Sequence, residues 1–476
     1  MYWLKKLLNS LTNMQNTFAG EQLLYYNPVS RKTAGRLEEL VAGTPTFNAD
    51  AIYDYLLYGT VLPPNSMAQG IQTLFPGEEI TLDIPQPVRR NVVYQKLGQL
   101  PTLSLTVAQF VDRLDEIFSR YFSAQLAGQS RVGVMLSGGI DSAIIASYLP
   151  KQSVAVTWGG WGSGTSDVRY AEQSFSAFKL AKHLQCLVDY PKDELLYHEA
   201  LAQVRHPFPL SFGIPYARMA QTLQEHFAGQ PFLVFAGQNA DTITGAFRPT
   251  VYSYYFSKCN RYNPLRPIFA KLSVQQRKLH LLSTSNPVAL IAFFHSCGIF
   301  PGPWLNVPKK YFVGKLSDLR SQIGHSPKRF SDYILMEELM TEARRNQFVQ
   351  NALPPLYGAQ VRLPYYHPEV VELFLQVPQR IRRQQNFGKV ILSELARKRG
   401  VPGSVIAKGK KGMSYGYTEY IKQGLHVQTW DEMQRHELLN RYIDVAALRA
   451  RHQNSFATFD LLRGLHAYLR LVWRTT

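Results

Sequence analysis

The sequence predicts an α/β protein. A parallel, doubly wound sheet is followed by a largely helical C-terminal half, and a small β-rich region stands in front. Three observations carry this. Between about residues 130 and 240, short apolar runs alternate with amphipathic, helix-length segments, as buried parallel strands joined by crossover helices do. From Arg248 on, the periodicity is almost all helical, with no strong strand. Residues 20–83 read as short strands and turns, ending in Phe75-Pro76-Gly77-Glu78-Glu79-Ile80-Thr81-Leu82.

The elements follow in order. In Met1–Met14, Leu4, Leu7, Leu8 and Leu11 share one helical face, which suits docking on the protein's own core or, less simply, a membrane surface. No continuous apolar h-region marks a secretory signal. Asp83–Thr106 contains Pro85, Pro87 and Pro101 without helical periodicity and reads as a linker. Thr106 and Gln109 have capping-box spacing. Behind them Phe110, Val111, Leu114, Ile117, Phe118, Tyr121, Phe122 and Leu126 form one apolar stripe. Then come a strand at Val132–Leu136, a helix at Ser142–Leu149 stopped by Pro150, and a strand at Val154–Trp158. A helix at Arg169–Gln185, a strand at Leu187–Tyr190, helices at Glu194–Val204 and Tyr216–Phe227, and a strand at Phe232–Ala236 complete the alternation.

Composition bounds the function. The 476 residues exceed the ~250–300 at which one core stops growing, so two or three domains are expected. Hydrophobic residues at 45% and charged residues at 18% exclude a disordered chain. Cys186, Cys259 and Cys297 are too few and too scattered for a disulfide scaffold or zinc knuckle, and suit a reducing, cytoplasmic setting. The longest apolar stretch, Val288–Phe294, is far short of the ~20 residues of a membrane span. The net charge of +18 sits in one half: residues 248–476 hold 34 Lys+Arg against 14 Asp+Glu. Such a block implies an anionic partner, whether nucleotide phosphates, an acidic substrate, nucleic acid or a membrane.

After the Val132–Leu136 strand comes Ser137-Gly138-Gly139-Ile140-Asp141-Ser142 and then a helix. Two glycines let the backbone turn tightly and present N–H groups to an anion, and the helix N-terminus adds its dipole. The Ser137 and Ser142 hydroxyls can donate to phosphate oxygens. Asp141 would repel a phosphate unless a cation lay between them, which implies Mg²⁺. The Gly-Lys-Ser/Thr ending of a P-loop is missing. A plain strand–turn–helix connection would also use glycines, but the end of a buried parallel strand is where such sheets bind ligands.

This hexapeptide resembles the pyrophosphate-loop motif of the ATP pyrophosphatases, a superfamily including asparagine synthetases, GMP and NAD synthetases and tRNA-modifying enzymes. The resemblance implies an adenine nucleotide alpha hydrolase-like (HUP) sheet and cleavage of ATP between its α and β phosphates. Three further segments are similar to asparagine synthetases. Gly237-Gln238-Asn239-Ala240-Asp241-Thr242 resembles their Ser-Gly-x-Gly-Ala-Asp-Glu loop, with Thr242 in place of Glu. Val361-Arg362-Leu363-Pro364-Tyr365-Tyr366, with Glu372 downstream and Lys389-Val390-Ile391-Leu392 after it, resembles their Glu-Val-Arg-Val-Pro-Phe and Lys-x-x-Leu segments. Gln360 stands where that pattern has Glu, removing a proton acceptor. Lys408-Gly409-Lys410-Lys411-Gly412-Met413 resembles their Arg-x-Lys-x-Gly-Phe loop.

By this resemblance Ser137, Gly138, Gly139, Asp141, Ser142, Val156 and Lys408 bind ATP, and Asp141 and Asp241 bind Mg²⁺. Lys410 and Lys389 are then catalytic, and Arg362 and Lys411 are further phosphate candidates. Gly70-Ile71 and Leu74-Phe75-Pro76-Gly77 resemble the tail of a glutaminase domain. Tyr2 stands where such a domain has its nucleophilic Cys, so no glutaminase activity is expected. The implied domains are a truncated glutaminase-like remnant with linker at 1–105 and a synthetase domain at 106–476. The latter divides into a nucleotide-binding part, 106–247, and a basic helical part, 248–476.

The function expected is ATP-dependent amide formation. A carboxylate becomes an acyl-adenylate with release of pyrophosphate, and ammonia or an amine displaces AMP. The carboxylate is unidentified. An ammonia-supplying or substrate-carrier protein, or an anionic partner for the basic half, completes the expectation. Alternatives are a lasso-peptide or β-lactam-type cyclase of the same family, an RNA-modifying relative, and a non-catalytic member. No RNA-binding module is legible, which makes nucleic acid the weaker partner. His206-Pro207-Phe208-Pro209 is a candidate wall of the acid pocket, or simply a proline-rich loop.

Overall fold

The computed structural model describes residues 13–15, 23–41, 46–81, 88–160, 166–246, 304–305, 307–323, 330–384, 389–408, 417–453 and 455–474. The leucines near the N-terminus, Cys259, Cys297, Lys410 and Lys411 lie outside them. The chain forms two compact units, Met1–Leu100 with Phe247–Phe348 and Pro101–Ala246 with Val349–Thr476.

The first unit holds two three-stranded antiparallel sheets. One runs β1 (Asn13–Gln15), β5 (Glu79–Thr81), β6 (Val88–Arg90), and the other β3 (Lys32–Ala34), β2 (Tyr25–Asn27), β4 (Gln72–Thr73). Tyr26, Leu74 and Ile80 form a small core. Two elements differ from expectation. Ala49–Tyr58 is a helix, capped by Asn48 and ended by Gly59 at φ 75°. The stretch read as a linker carries β6 and a helix, Val92–Gly98. Seven residues are too few for an apolar period, so partners define that helix. Asn91 accepts from Tyr94 N at 3.1 Å and donates to Pro76 O and Gln322 Oε1. Arg89 pairs with the fully buried Glu78 at 2.6 Å. Deeper, Asp54 pairs with Lys315 at 2.9 Å and accepts from the Tyr311 hydroxyl at 2.5 Å. Burial raises the Asp54 pKa above its ordinary value although Lys315 opposes this.

The second unit is built on a five-stranded, wholly parallel sheet in the order β11-β10-β7-β8-β9. The strands are β7 (Val132–Met135), β8 (Val154–Gly160), β9 (Lys182–Leu187), β10 (Phe232–Phe235) and β11 (Ala359–Arg362). Chain order runs outward from β7 through β8 to β9, then resumes at β10 on the other side of β7. The topological switch point therefore lies between β7 and β10, where open α/β sheets bind ligands beyond the strands' carboxyl ends.

The three inner strands are buried throughout and match the apolar runs of the sequence. The edge strands differ from expectation. The predicted Arg169–Gln185 helix is Ser166–Phe178, and the strand is Lys182–Leu187 rather than Leu187–Tyr190. As an edge, β9 is half polar and resembles a helix continuation. The other edge, β11, comes from the supposedly strandless half and pairs Val361 with Val234. The remaining helices extend beyond their predicted starts, as Tyr190–Val204 and Leu210–His226, the latter enclosing Pro215.

The helix Val107–Leu126 forms as expected, with the Thr106–Gln109 capping box intact. It buries Phe110, Val111, Leu114, Phe118 and Phe122. Phe122 lies 4.9 Å from Tyr148 and 5.1 Å from Phe235, and Phe118 lies 5.4 Å from Tyr365. Among the described residues no helix is long and apolar enough to cross a membrane.

Candidate functional site

Two turns meet at the switch point. The first follows β7, where Ser137–Ser142 leads into the helix Ile140–Ala146. Its serines clasp each other: Ser137 N–H donates to Ser142 Oγ at 3.0 Å, and the two hydroxyls are 2.9 Å apart. Ser142 is buried and also donates to Ser137 O at 3.1 Å, so it shapes the loop from behind. The Gly139 N–H donates to Ser137 Oγ at 3.2 Å.

The second turn follows β10. Asn239 takes the left-handed conformation, φ 79°, and its amide donates to Tyr365 O at 3.0 Å. The Tyr365 hydroxyl donates to the Asp141 carbonyl at 3.0 Å. One buried tyrosine thereby ties both turns together. A Cβ at Gly237 would lie 3.2 Å from Ser142 N, so the two backbones are in near contact there.

The carboxylates of Asp141 and Asp241 converge on the Lys389 ammonium. Lys389 Nζ is 2.8 and 2.6 Å from the two Asp141 oxygens and 2.6 Å from Asp241 Oδ1. Lys389 caps the helix Val390–Lys398 in the left-handed conformation, φ 57°. Burial disfavours its charge, but Asp141 and Asp241 outweigh that and hold its pKa above the ordinary lysine value. Lys408, at the end of the helix Gly403–Ala407, reaches the same turn. Its ammonium pairs with Asp167 at 2.5 Å and lies 4.9 Å from the centre of the Tyr170 ring. A Cβ on Gly138 would come 2.5 Å from that ammonium and 2.8 Å from Asp167 O. Only glycine lets Lys408 approach so closely.

These groups line one cavity of about 420 Å³. Its polar wall includes Ser137, Asp141, Asp167, Asp241, Lys389 and Lys408, and its apolar wall Leu136, Trp158, Met219 and Ile406. Such a mixed, concave lining suits a nucleotide and a small second group. Two carboxylates that touch one ammonium can also present hard oxygens to Mg²⁺, with phosphate oxygens and water supplying the rest. Among the described residues no cluster of three or more acidic, His or Cys side chains offers a protein-only metal cage.

Of the residues singled out from sequence, Ser137, Gly139, Asp141, Ser142, Asp241, Lys389 and Lys408 line the cavity, and Gly138 stands behind Lys408. Val156 does not; it is buried in β8, its carbonyl accepting from Leu136 N at 2.9 Å, while Trp158 two residues on reaches the cavity. Arg362 turns to Gln125 and to Val361 O, and Gln360 is exposed on β11; neither is a lining residue. His206 and Phe208 are buried, also outside the lining. Sequence reading missed Asp167 and the Gln238–Gln350 amide pair at 2.9 Å. Asp167 follows the glycine-rich Gly159–Gly164 stretch, a signal that was available. Gln350 had none, because its partner is far away in sequence.

The asparagine synthase family model matches residues 113–460, which is most of the chain. No curated protein matches. Among solved structures the chain is similar to the crystal structure of NAD+ synthetase from Burkholderia pseudomallei. That match has 15% identity and a TM-score of 0.22, covering 56% of this chain and 90% of that one.

Proposed function

The chain belongs to the asparagine synthase family, and from that premise we propose that it activates a substrate carboxylate with ATP and converts it to an amide. Membership makes it an ATP-using, ligase-type enzyme. The finer reading is supported above all by one arrangement: the Ser137–Ser142 turn, Asp141, Asp241 and Lys389 together at the carboxyl ends of β7 and β10.

In this reading the substrate carboxylate attacks the α-phosphorus of ATP. The bond from that phosphorus to the bridging oxygen breaks, and pyrophosphate leaves against the Ser137–Ser142 turn. Lys389 and Lys408 offset the charge that gathers on the departing oxygens, an effect strengthened in a site shielded from water. Asp141 and Asp241 would hold Mg²⁺, which screens the triphosphate. An amine or ammonia then attacks the acyl carbon and gives up a proton to solvent, and AMP leaves with the carbon–oxygen bond's electrons. The chain's contribution is positioning and charge compensation. Lys410 is proposed to act on the phosphates with Lys408. The nitrogen comes from free ammonia, from a partner protein or from an amine on the substrate.

The test is exchange of labelled pyrophosphate into ATP across a panel of carboxylic acids. An acid that supports exchange in the native protein, and fails to with Asp141→Asn or Lys410→Ala, identifies the activated substrate. Full exchange in both variants would remove the reading.

A further inference from the structure

We infer that Lys389 is the resident counter-cation of the Asp141–Asp241 pair, so that a divalent cation enters this site only together with the nucleotide. The inference rests on the proposed function in one respect, the use of these two carboxylates for the cation on ATP.

Lys389 holds the atoms that a divalent cation would need. Lys389 Nζ lies 2.6 Å from Asp141 Oδ2 and 2.6 Å from Asp241 Oδ1, and 2.8 Å from the second Asp141 oxygen. A hard dication would bind these oxygens at ~2.0–2.6 Å. It would therefore have to sit against the ammonium or displace it. The ammonium repels a dication at the same oxygens, and that repulsion opposes metal binding by the two carboxylates.

The ammonium is also held from behind. Lys389 opens a helix whose Val390, Ile391, Leu392, Leu395 and Ala396 are buried, and its side chain is 12% exposed. Swinging it into water would break its ion pairs with two part-buried carboxylates. A triphosphate removes the conflict. Its oxygens would give Lys389 further anionic partners and would bring negative charge enough for both cations. Metal and nucleotide are then coupled ligands, each raising the other's affinity by the same factor. Lys389 is a positioning residue here as well as a phosphate ligand.

The experiment titrates Mn²⁺ alone into the full chain, read by electron paramagnetic resonance of the free ion. It is then repeated with saturating α,β-methylene-ATP, which cannot be cleaved at the bond in question, using the Mn²⁺–analogue mixture as blank. We expect native protein to bind Mn²⁺ at least about tenfold more tightly with the analogue than without it. Lys389→Met should bind Mn²⁺ alone about tenfold or more tightly than native protein, and adding Asp241→Asn should abolish that gain. Equal binding of Mn²⁺ alone by native protein and Lys389→Met overturns the inference. If Lys389→Met does not fold, native protein decides it: equal Mn²⁺ affinity with and without the analogue overturns it. The underlying functional reading fails by a different sign. Asp141→Asn and Asp241→Asn would then leave uptake of the Mn²⁺–analogue complex unchanged.

Discussion

Gly138 shows how much one hydrogen decides at this site. A methyl group there would meet the Lys408 ammonium and the Asp167 carbonyl within 2.8 Å. Gly138→Ala must push the Lys408–Asp167 pair away from the turn. We expect a loss of ~1–3 kcal/mol in urea unfolding, as for other overpacked positions, together with loss of acid-dependent pyrophosphate exchange. Tyr365→Phe is the gentler probe. It removes only the bond to the Asp141 carbonyl, about 0.5–1.5 kcal/mol, and loosens the two turns relative to each other. A lowered unfolding midpoint with unchanged slope would agree; no change in midpoint would contradict the tie. Asp141, Ser137 and the glycines were legible because they are adjacent in sequence and their chemistry is local. The Lys389 bridge was not, since a lysine's reach to two aspartates in different segments is a property of packing. Nor was the Gln238–Gln350 pair, for the same reason.

Among the elements, the helix Val107–Leu126 was read from its stripe and its cap, and both signals are intrinsic to one segment. Thr106→Ala deletes the acceptor for Gln109 N, and a cost of ~1 kcal/mol in chemical denaturation is expected. Within the helix Phe456–Trp473, His466 is buried beside His436, with ring centres 5.1 Å apart. Burial first, then His436 and Arg470, pushes its pKa down to about 3 from an ordinary 6.5. The folded state thus prefers it neutral. Its contribution is intact above pH 6.5 and is lost as pH falls toward 3, at up to about 1.4 kcal/mol per pH unit while the unfolded chain alone binds the proton. His466→Gln should flatten that part of the stability–pH curve. A native-like slope in the variant would assign the acid sensitivity elsewhere. Strands follow a similar logic of environment. Inner strands β7, β8 and β10 must be apolar on both faces, so their runs announce them. Edge strands β9 and β11 meet solvent, tolerate Lys182, Gln185 and Gln360, and lose the signal.

At the scale of the whole molecule, the second unit is held together by contacts between distant parts of the chain. Arg463, 2% exposed, donates to Asp460 at 2.7 Å and to Glu194 at 2.9 Å. Asp460 in turn accepts from Ser211 N at 3.0 Å, at the start of the helix Leu210–His226. The C-terminal helix thereby locks onto both helices that connect β9 to β10. Arg463→Met leaves Asp460 buried without its cation, and a loss of ~3–5 kcal/mol is expected. Adding Asp460→Asn removes the stranded charge but keeps the acceptor for Ser211, so the double variant should recover much of the loss in thermal or urea unfolding. Additive losses in the double variant would refute a charge origin. The sequence by itself determined the class of sheet, its inner strands, the long capped helix and the glycine turn with its aspartate. Those depend on periodicity and on neighbouring residues. Only the tertiary structure decided which strands sit at the edges, where chain order reverses, and which lysine meets Asp141 and Asp241. These depend on which segments exclude water together, and that free energy belongs to surfaces far apart along the chain.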